Sequence, residues 1–202
     1  IIPVYNEEKT IKEIIEKVIN VKLKNIKKDI IIVDDGSSDN TTEILKKVKK
    51  NHKNIKIILK EKNEGKGSAV KEGLKHIKGD ILIIQDADLE YDPDDYKKML
   101  PFILENKADV VYGSRFLGPH RAFLFLNYIA NKFLNLVTNI LYNSILTDME
   151  TCFKMMRREV IKDITIKAKG FDFEPEITAK ILKRKYKIYE VPIKYLSLIH
   201  IS

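Results

Sequence analysis

Two aspartates separated by one alanine, Asp86 and Asp88, close the apolar run ILII at residues 81–84 of a 202-residue chain. Side chains alternate in an extended segment, so both carboxylates leave one face and can share a hard divalent cation. A second acid pair, Asp34 and Asp35, follows the apolar run Ile30 to Val33 and opens the turn DDGSSDN. Carboxylates gathered together raise one another's pKa unless a cation or hydrogen bonds compensate. Mg2+ does so while coupling one or two carboxylates to substrate phosphates. Acids without a catalytic histidine or serine then point to a nucleotide-diphosphate substrate whose leaving group a metal stabilises.

Other chemistries lack their residues. Gly65, Lys66, Gly67 and Ser68 do not make a phosphate loop, because no glycine stands at the first position of GxxxxGK[ST], and Gly65-x-Gly67 continues to no third glycine of a dinucleotide fingerprint. What remains is a helix start with one lysine, which reads either as a plain helix cap or as a place that offers backbone N–H groups and positive charge to an anion. The histidines at 52, 76, 120 and 200 show no zinc spacing. A single cysteine, Cys152, excludes an internal disulfide and fits a reducing compartment.

The elements that must hold these groups follow from periodicity. Apolar runs at 1–5, 30–33 and 55–59 and the run from Ile81 predict strands, and Ala108 to Tyr112 another. Between them Ile11, Ile14, Ile15, Val18 and Ile19, then Ile44, Leu45 and Val48, recur at helical spacing, the second helix capped by Ser38 or Asp39. Gly65 to Ile77 reads as a third helix, with Gly79 as its stop. Strand and helix thus alternate through the first ninety residues, which predicts a parallel sheet with its acid pairs on one rim. Pro93 opens a helix to about Leu104. Thr147 to Met156 reads as loop and strand, Phe173 to Lys185 as a helix, and Tyr186 to Tyr195, with Pro192, as an edge strand.

Composition sets the class. With 44% apolar and 33% charged residues the chain is globular; a formal charge of +8 favours anionic partners, although much of it is lysine spread over helix faces as a solvated surface. There is no signal-peptide pattern and no run of 18 apolar residues. No repeat or linker divides the chain. Arg121 to Leu146 is unlike the rest: aromatic-rich, nearly uncharged apart from Lys132, with Asn127, Asn131, Asn135, Asn139 and Asn143 at every fourth position. That spacing winds a polar stripe along a helix between apolar flanks. It describes either a core helix whose amides bond neighbouring loops or an interfacial helix against a bilayer or lipid tail.

PVYNEE at 3–8, VDDGSSDNT at 33–41, NEGKGSAVKEG at 63–73, QDADLEYDP at 85–93, GSRF at 113–116 and TDMETCFK at 147–154 occur in order. Together they resemble family 2 glycosyltransferases with the GT-A fold, especially the dolichol-phosphate mannosyltransferase-like, or polyprenyl-phosphate sugar synthase, branch. The likeness implies an α/β, Rossmann-like fold with a mainly parallel central sheet flanked by helices. It covers residues 1–195 as one domain cut at both ends, and leaves Leu196 to Ser202, LSLIHIS, as a foreign or disordered tail in place of the basic residues expected after EVPIKY.

The resemblance also assigns roles. Pro3, Tyr5 and Glu7 border the nucleotide, Val33 and Asp35 lie near base and ribose, and Lys66 near the diphosphate. Asp86, Ala87 and Asp88 form the DxD that holds Mg2+ or Mn2+ and the sugar nucleotide, with Glu90 as a further metal ligand. Arg115 meets phosphates, and Asp148 stands beside the acceptor, with Glu150 close enough to compete for that role. The implied reaction is inverting, metal-dependent hexose transfer from UDP-glucose or GDP-mannose-type donors to a polyprenyl or dolichyl phosphate. Asp148 acts as base for a hydroxyl acceptor, but orients more than abstracts for a phosphate that arrives ionised. The branch resemblance turns residues 121–146 toward a lipid-facing or acceptor-binding helix and implies a cytoplasmic protein, peripheral at a membrane, with an anchor outside these residues left open. Nucleic acid is not an implied partner. The rivals are transfer to a hydroxyl acceptor in polysaccharide or glycan assembly, a sugar-phosphate nucleotidyltransferase, and a non-catalytic anionic-lipid-binding module.

Overall fold

The computed structural model describes residues 1–52, 54–120, 122 and 124–196. Strand β1 (Ile2–Val4), helix α1 (Ile11–Asn20), β2 (Ile30–Asp34), α2 (Thr41–Asn51), β3 (Ile55–Leu59), α3 (Lys66–Leu74) and β4 (Ile81–Ile83) follow the expected alternation. After them come α4 (Tyr96–Leu104), β5 (Val110–Ser114), α5 (Phe125–Tyr142), β6 (Lys154–Arg157), α6 (Arg158–Lys162), α7 (Phe173–Lys183) and β7 (Ile188–Pro192).

β1, β2 and β3 pair in parallel, and β4, β6, β5 and β7 form a second group in that order. Two backbone bonds join the groups: the Ile1 amine donates to Ile83 O at 2.8 Å, and Gln85 N–H to Ile1 O at 2.9 Å. This is a parallel bridge, so the layer runs β3-β2-β1-β4-β6-β5-β7. Within it β6 is antiparallel to both neighbours, a reversal that the sequence pattern does not announce. β7 takes the edge of the layer, as Pro192 predicts.

β1 and β2 read as continuous apolar runs because both faces of the sheet are covered there. Ile30 and Ile32 of β2 face the cluster containing Ile11, Ile14 and Ile15 of α1 and Met99 and Ile103 of α4. Ile31 and Val33 turn the other way, onto Ala69 of α3. Farther along that side, Phe173, Ile177 and Ile181 of α7 pack with Val110 and Tyr112 of β5.

Three local departures have physical causes. The cap of α2 is Asn40 rather than Ser38 or Asp39, because Asp39 bonds the backbone N–H groups of Thr41 (2.9 Å) and Glu8 (3.1 Å) and the Ser38 N–H donates to the Asn6 side chain at 2.8 Å. β5 starts later and runs through Gly113 and Ser114, since its register with β7 extends from Val110–Ile188 to Ser114–Pro192. The short helix α6 carries no periodicity of its own and is absent from the sequence expectation.

Candidate active site

The carboxyl ends of β1, β2 and β4 meet at one rim, with the start of α3 beside them. They enclose a cleft of about 350 Å³ lined by Pro3, Tyr5, Glu7, Asp35, Lys66, Asp86, Ala87 and Asp88, together with Val4, Asn63, Gly65, Ala69 and Phe171. Every nucleotide-site expectation therefore reaches the cleft except Val33, which is buried beneath Ala69 and does not line it. Val4, Asn63, Gly65, Ala69 and Phe171 line the cleft without an assigned role; of these Phe171, 81% exposed in the loop KGFD, carried no motif that would have announced it.

The two acid pairs have different surroundings. Asp34 accepts from Ser37 N–H (3.0 Å) and the Thr42 hydroxyl (2.5 Å), and so holds the turn. Asp35 accepts from Gly65 N–H at 2.8 Å and pairs with the Lys60 ammonium. The glycines of this region serve close approach. Gly65 has φ +97° and a Cβ there would lie 2.5 Å from Lys169 O, while Ser68 N–H donates to that same carbonyl at 2.9 Å. Of the backbone amides at this helix start, those of Gly65 and Ser68 are thus occupied internally.

β4 ends at Ile83, so Asp86 and Asp88 lie on a bent segment, with Leu89 left-handed at φ +68°. Glu90 N–H closes the bend on Asp88 Oδ1 at 3.0 Å. Burial, then the charges of Asp86, Glu90 and Glu7, push the Asp88 carboxyl up to about 7. Burial likewise raises Glu7, with Asp86 and Glu90 adding to it. This surplus of negative charge on hard oxygen donors suits a divalent cation at Asp86 and Asp88. Among the described residues, however, no three acid, histidine or cysteine side chains converge on one point. Asp86 pairs with Lys66 at 2.7 Å, and Glu90 accepts from the Tyr195 hydroxyl at 2.6 Å. Lys66 also reaches Cys152 Sγ at 2.7 Å; burial and the Asp86 charge hold that thiol neutral.

Beyond the cleft lies the segment 146–150. Asp148 is fully enclosed and clasped by Arg115, whose Nη2 meets Oδ1 at 2.7 Å. Glu150 is partly buried, and burial raises its pKa. Two residues not anticipated for this site shape it. Glu190 accepts from Thr147 N–H (2.8 Å) and Asp148 N–H (3.1 Å), and Lys154, wholly buried, donates to the carbonyls of Met149 and Thr151.

Helix α5 lies against this segment with Asn131, Asn135 and Asn139 inward, while Asn127 is exposed and Asn143 follows the helix in a left-handed conformation at φ +47°. Asn135 donates to Thr147 O (2.6 Å) and accepts from Met149 N–H (2.7 Å); Asn139 does the same for Leu146 O and N–H; Asn131 accepts from Arg115. Its buried residues are Asn135 and Thr138, whereas Leu126, Phe133, Ile140 and Leu141 are 62–78% exposed. The amides thus bond neighbouring loops, as the first reading of the helix held, while the apolar flanks face outward, as the second held.

The family model for glycosyl transferase family 2 matches residues 1–165, which include the cleft acids and Asp148. The chain belongs to glycosyltransferase family 2. Among its relatives in the family is the dolichol-phosphate mannosyltransferase of Pyrococcus furiosus, 31% identical over 200 residues, covering 96% of this chain and 55% of that one. The chain therefore spans about half the length of that relative. The UDP-N-acetylglucosamine–dolichyl-phosphate N-acetylglucosaminyltransferase of Methanococcus voltae is 33% identical over 213 residues, covering 96% of this chain and 83% of the relative. Among solved structures, glucosyl-3-phosphoglycerate synthase of Mycobacterium tuberculosis, in complex with Mn2+, UDP and glucosyl-3-phosphoglycerate, superposes with a TM-score of 0.75 at 20% identity over 96% of this chain and 68% of that one. The same enzyme is also known with Mg2+ and UDP. At that identity the likeness establishes the fold, and the family 2 chain has the GT-A-like architecture expected from its sequence.

Proposed function

We propose that this family 2 domain transfers a hexose from a UDP- or GDP-sugar, with inversion, to a polyprenyl or dolichyl phosphate at a membrane surface. The observation that carries the reading is the inverted helix α5. It turns its amides onto the segment that holds Asp148 and its apolar face away from the protein. A helix built this way has its hydrophobic partner outside the chain, and a lipid tail or bilayer surface is a partner of the right chemistry. No helix among the described residues is long and apolar enough to cross a membrane, so association through α5 is peripheral. A cytoplasmic, anionic leaflet suits the +8 charge.

At the cleft, Tyr5, Glu7 and Asp35 border the nucleotide and Lys66 stands beside the diphosphate. Asp86 and Asp88, with Glu90 adjacent, would hold Mg2+ or Mn2+, whose chemistry is to neutralise the departing diphosphate. The acceptor side fits a nucleophile that needs no base. Asp148 is enclosed and engaged by Arg115, an arrangement that orients, and a phosphate monoester with a second pKa of about 6 arrives largely ionised. Glu150, less enclosed and with a raised pKa, favours the second reading, transfer to a hydroxyl, in which it would serve as base.

Calorimetric titration with UDP-glucose and GDP-mannose, each with Mn2+ and with EDTA, tests the donor half. One nucleotide should bind only with metal and not to Asp88→Ala; unchanged binding by that variant sinks the reading. Sugar transfer to polyprenyl phosphate in vesicles, against a soluble alcohol, separates the two acceptors.

A further inference from the structure

Lys66 opens α3, and its ammonium lies 2.7 Å from Asp86 Oδ1 and 3.3 Å from Glu174 Oε1 on α7. All three side chains are enclosed, 13%, 14% and 3% exposed in that order. The two carboxylates are not served equally. Glu174 Oε1 is buried and accepts no hydrogen bond, although the Lys66 ammonium lies within ion-pair distance of it. Lys66 therefore stands between an acid of the cleft that it satisfies and an acid of the helix behind it that it leaves short.

We propose that Glu174 is a second seat for Lys66. A divalent cation arriving at Asp86 and Asp88 must displace the ammonium from Asp86, and Lys66 then makes the hydrogen bond that Glu174 lacks. The ammonium stays at the cleft wall, where it faces an incoming diphosphate. Lys66 is thus a resident counter-ion that competes with the metal, and Glu174 is the positioning residue that makes its release inexpensive. A cation entering alone meets the repulsion of a nearby ammonium; a cation entering with a nucleotide brings the negative charge that offsets it. Metal and nucleotide binding are consequently coupled through Lys66. The inference rests on the metal-dependent reading above.

Mn2+ titration of the intact chain, followed by the electron paramagnetic resonance of the free ion, tests it without turnover. Without nucleotide, Lys66→Met should bind Mn2+ about tenfold more tightly than the unsubstituted chain, within the usual range of coupling between two sites. Glu174→Gln should bind it several-fold more weakly, a change of opposite sign. Adding UDP or GDP should strengthen Mn2+ binding in the unsubstituted chain and far less in Lys66→Met. Equal or weaker Mn2+ binding by Lys66→Met overturns the proposal while leaving the functional reading intact. Absence of Mn2+ binding in every variant, with UDP and GDP present, overturns both. Lys66→Gln, which loses the charge but keeps a polar end, makes the same measurement if the methionine variant does not fold.

Discussion

Arg115 grips Asp148 at both carboxylate oxygens: Nε donates to Oδ2 at 2.8 Å and Nη2 to Oδ1 at 2.7 Å. The backbone N–H of Arg115 adds a third bond to Oδ2 at 2.8 Å. Burial works against the guanidinium, yet the hydrogen bonds and charge of Asp148 hold its pKa above the ordinary value. Removing one partner of such a pair leaves the other as an uncompensated buried charge. Arg115→Met and Asp148→Asn should therefore each lose about 3–5 kcal/mol in urea unfolding, the first stranding a buried carboxylate and the second a buried guanidinium. Losses below about 1 kcal/mol in both would show that the pair is not what holds the loop.

The two faces of α5 should respond oppositely to substitution. Phe133→Glu and Ile140→Glu change residues 62% and 71% exposed, so unfolding free energy should shift by no more than about 0.5 kcal/mol. Sedimentation with anionic vesicles should fall several-fold for both. Asn135→Leu should retain vesicle binding but lose about 1–3 kcal/mol for each of the buried Thr147 O and Met149 N–H groups it strands. Vesicle binding unaffected by the glutamates would remove α5 as the contact surface.

Glu190 supplies a pH dependence with a defined sign. Burial raises its pKa above 4.5, despite hydrogen bonds from Thr147 and Asp148 that act the other way. The folded chain therefore holds this proton to higher pH than the unfolded chain, and stability declines as pH rises from about 4.5 through the folded value. Glu190→Gln keeps an acceptor for Thr147 N–H without the titration. Thermal melts between pH 4 and 8 should show a shallower decline for this variant, and parallel curves would assign the dependence elsewhere.

Gly65→Ala should be costly twice over, through φ +97° and through a Cβ placed 2.5 Å from Lys169 O. Left-handed strain alone amounts to about 1–3 kcal/mol. Because Gly65 N–H also holds Asp35, nucleotide affinity should fall with stability, and calorimetry together with denaturant unfolding would detect both. Gly79→Ala, at an ordinary φ with its nearest contact 3.5 Å away, is the control.

Much of this was legible in the residues themselves. The apolar runs before Asp34 and Asp86 fix strands with acids at or just past their carboxyl ends, and the motifs between Pro3 and Lys154 fix the family; both are local patterns, written within a few residues. The stripe of asparagines likewise fixes α5 as a two-faced helix. Its orientation was not legible, because periodicity says that two faces differ but not which one meets the protein. That was decided by the backbone groups of residues 146–149, which amides satisfy and leucines cannot. The enclosure of Asp148, the support from Glu190 and the contact of Lys66 with Glu174 were likewise decided only by the fold. Each joins groups 33 to 108 positions apart in the chain, a separation at which no sequence period operates and only the path of the chain through the sheet brings them together.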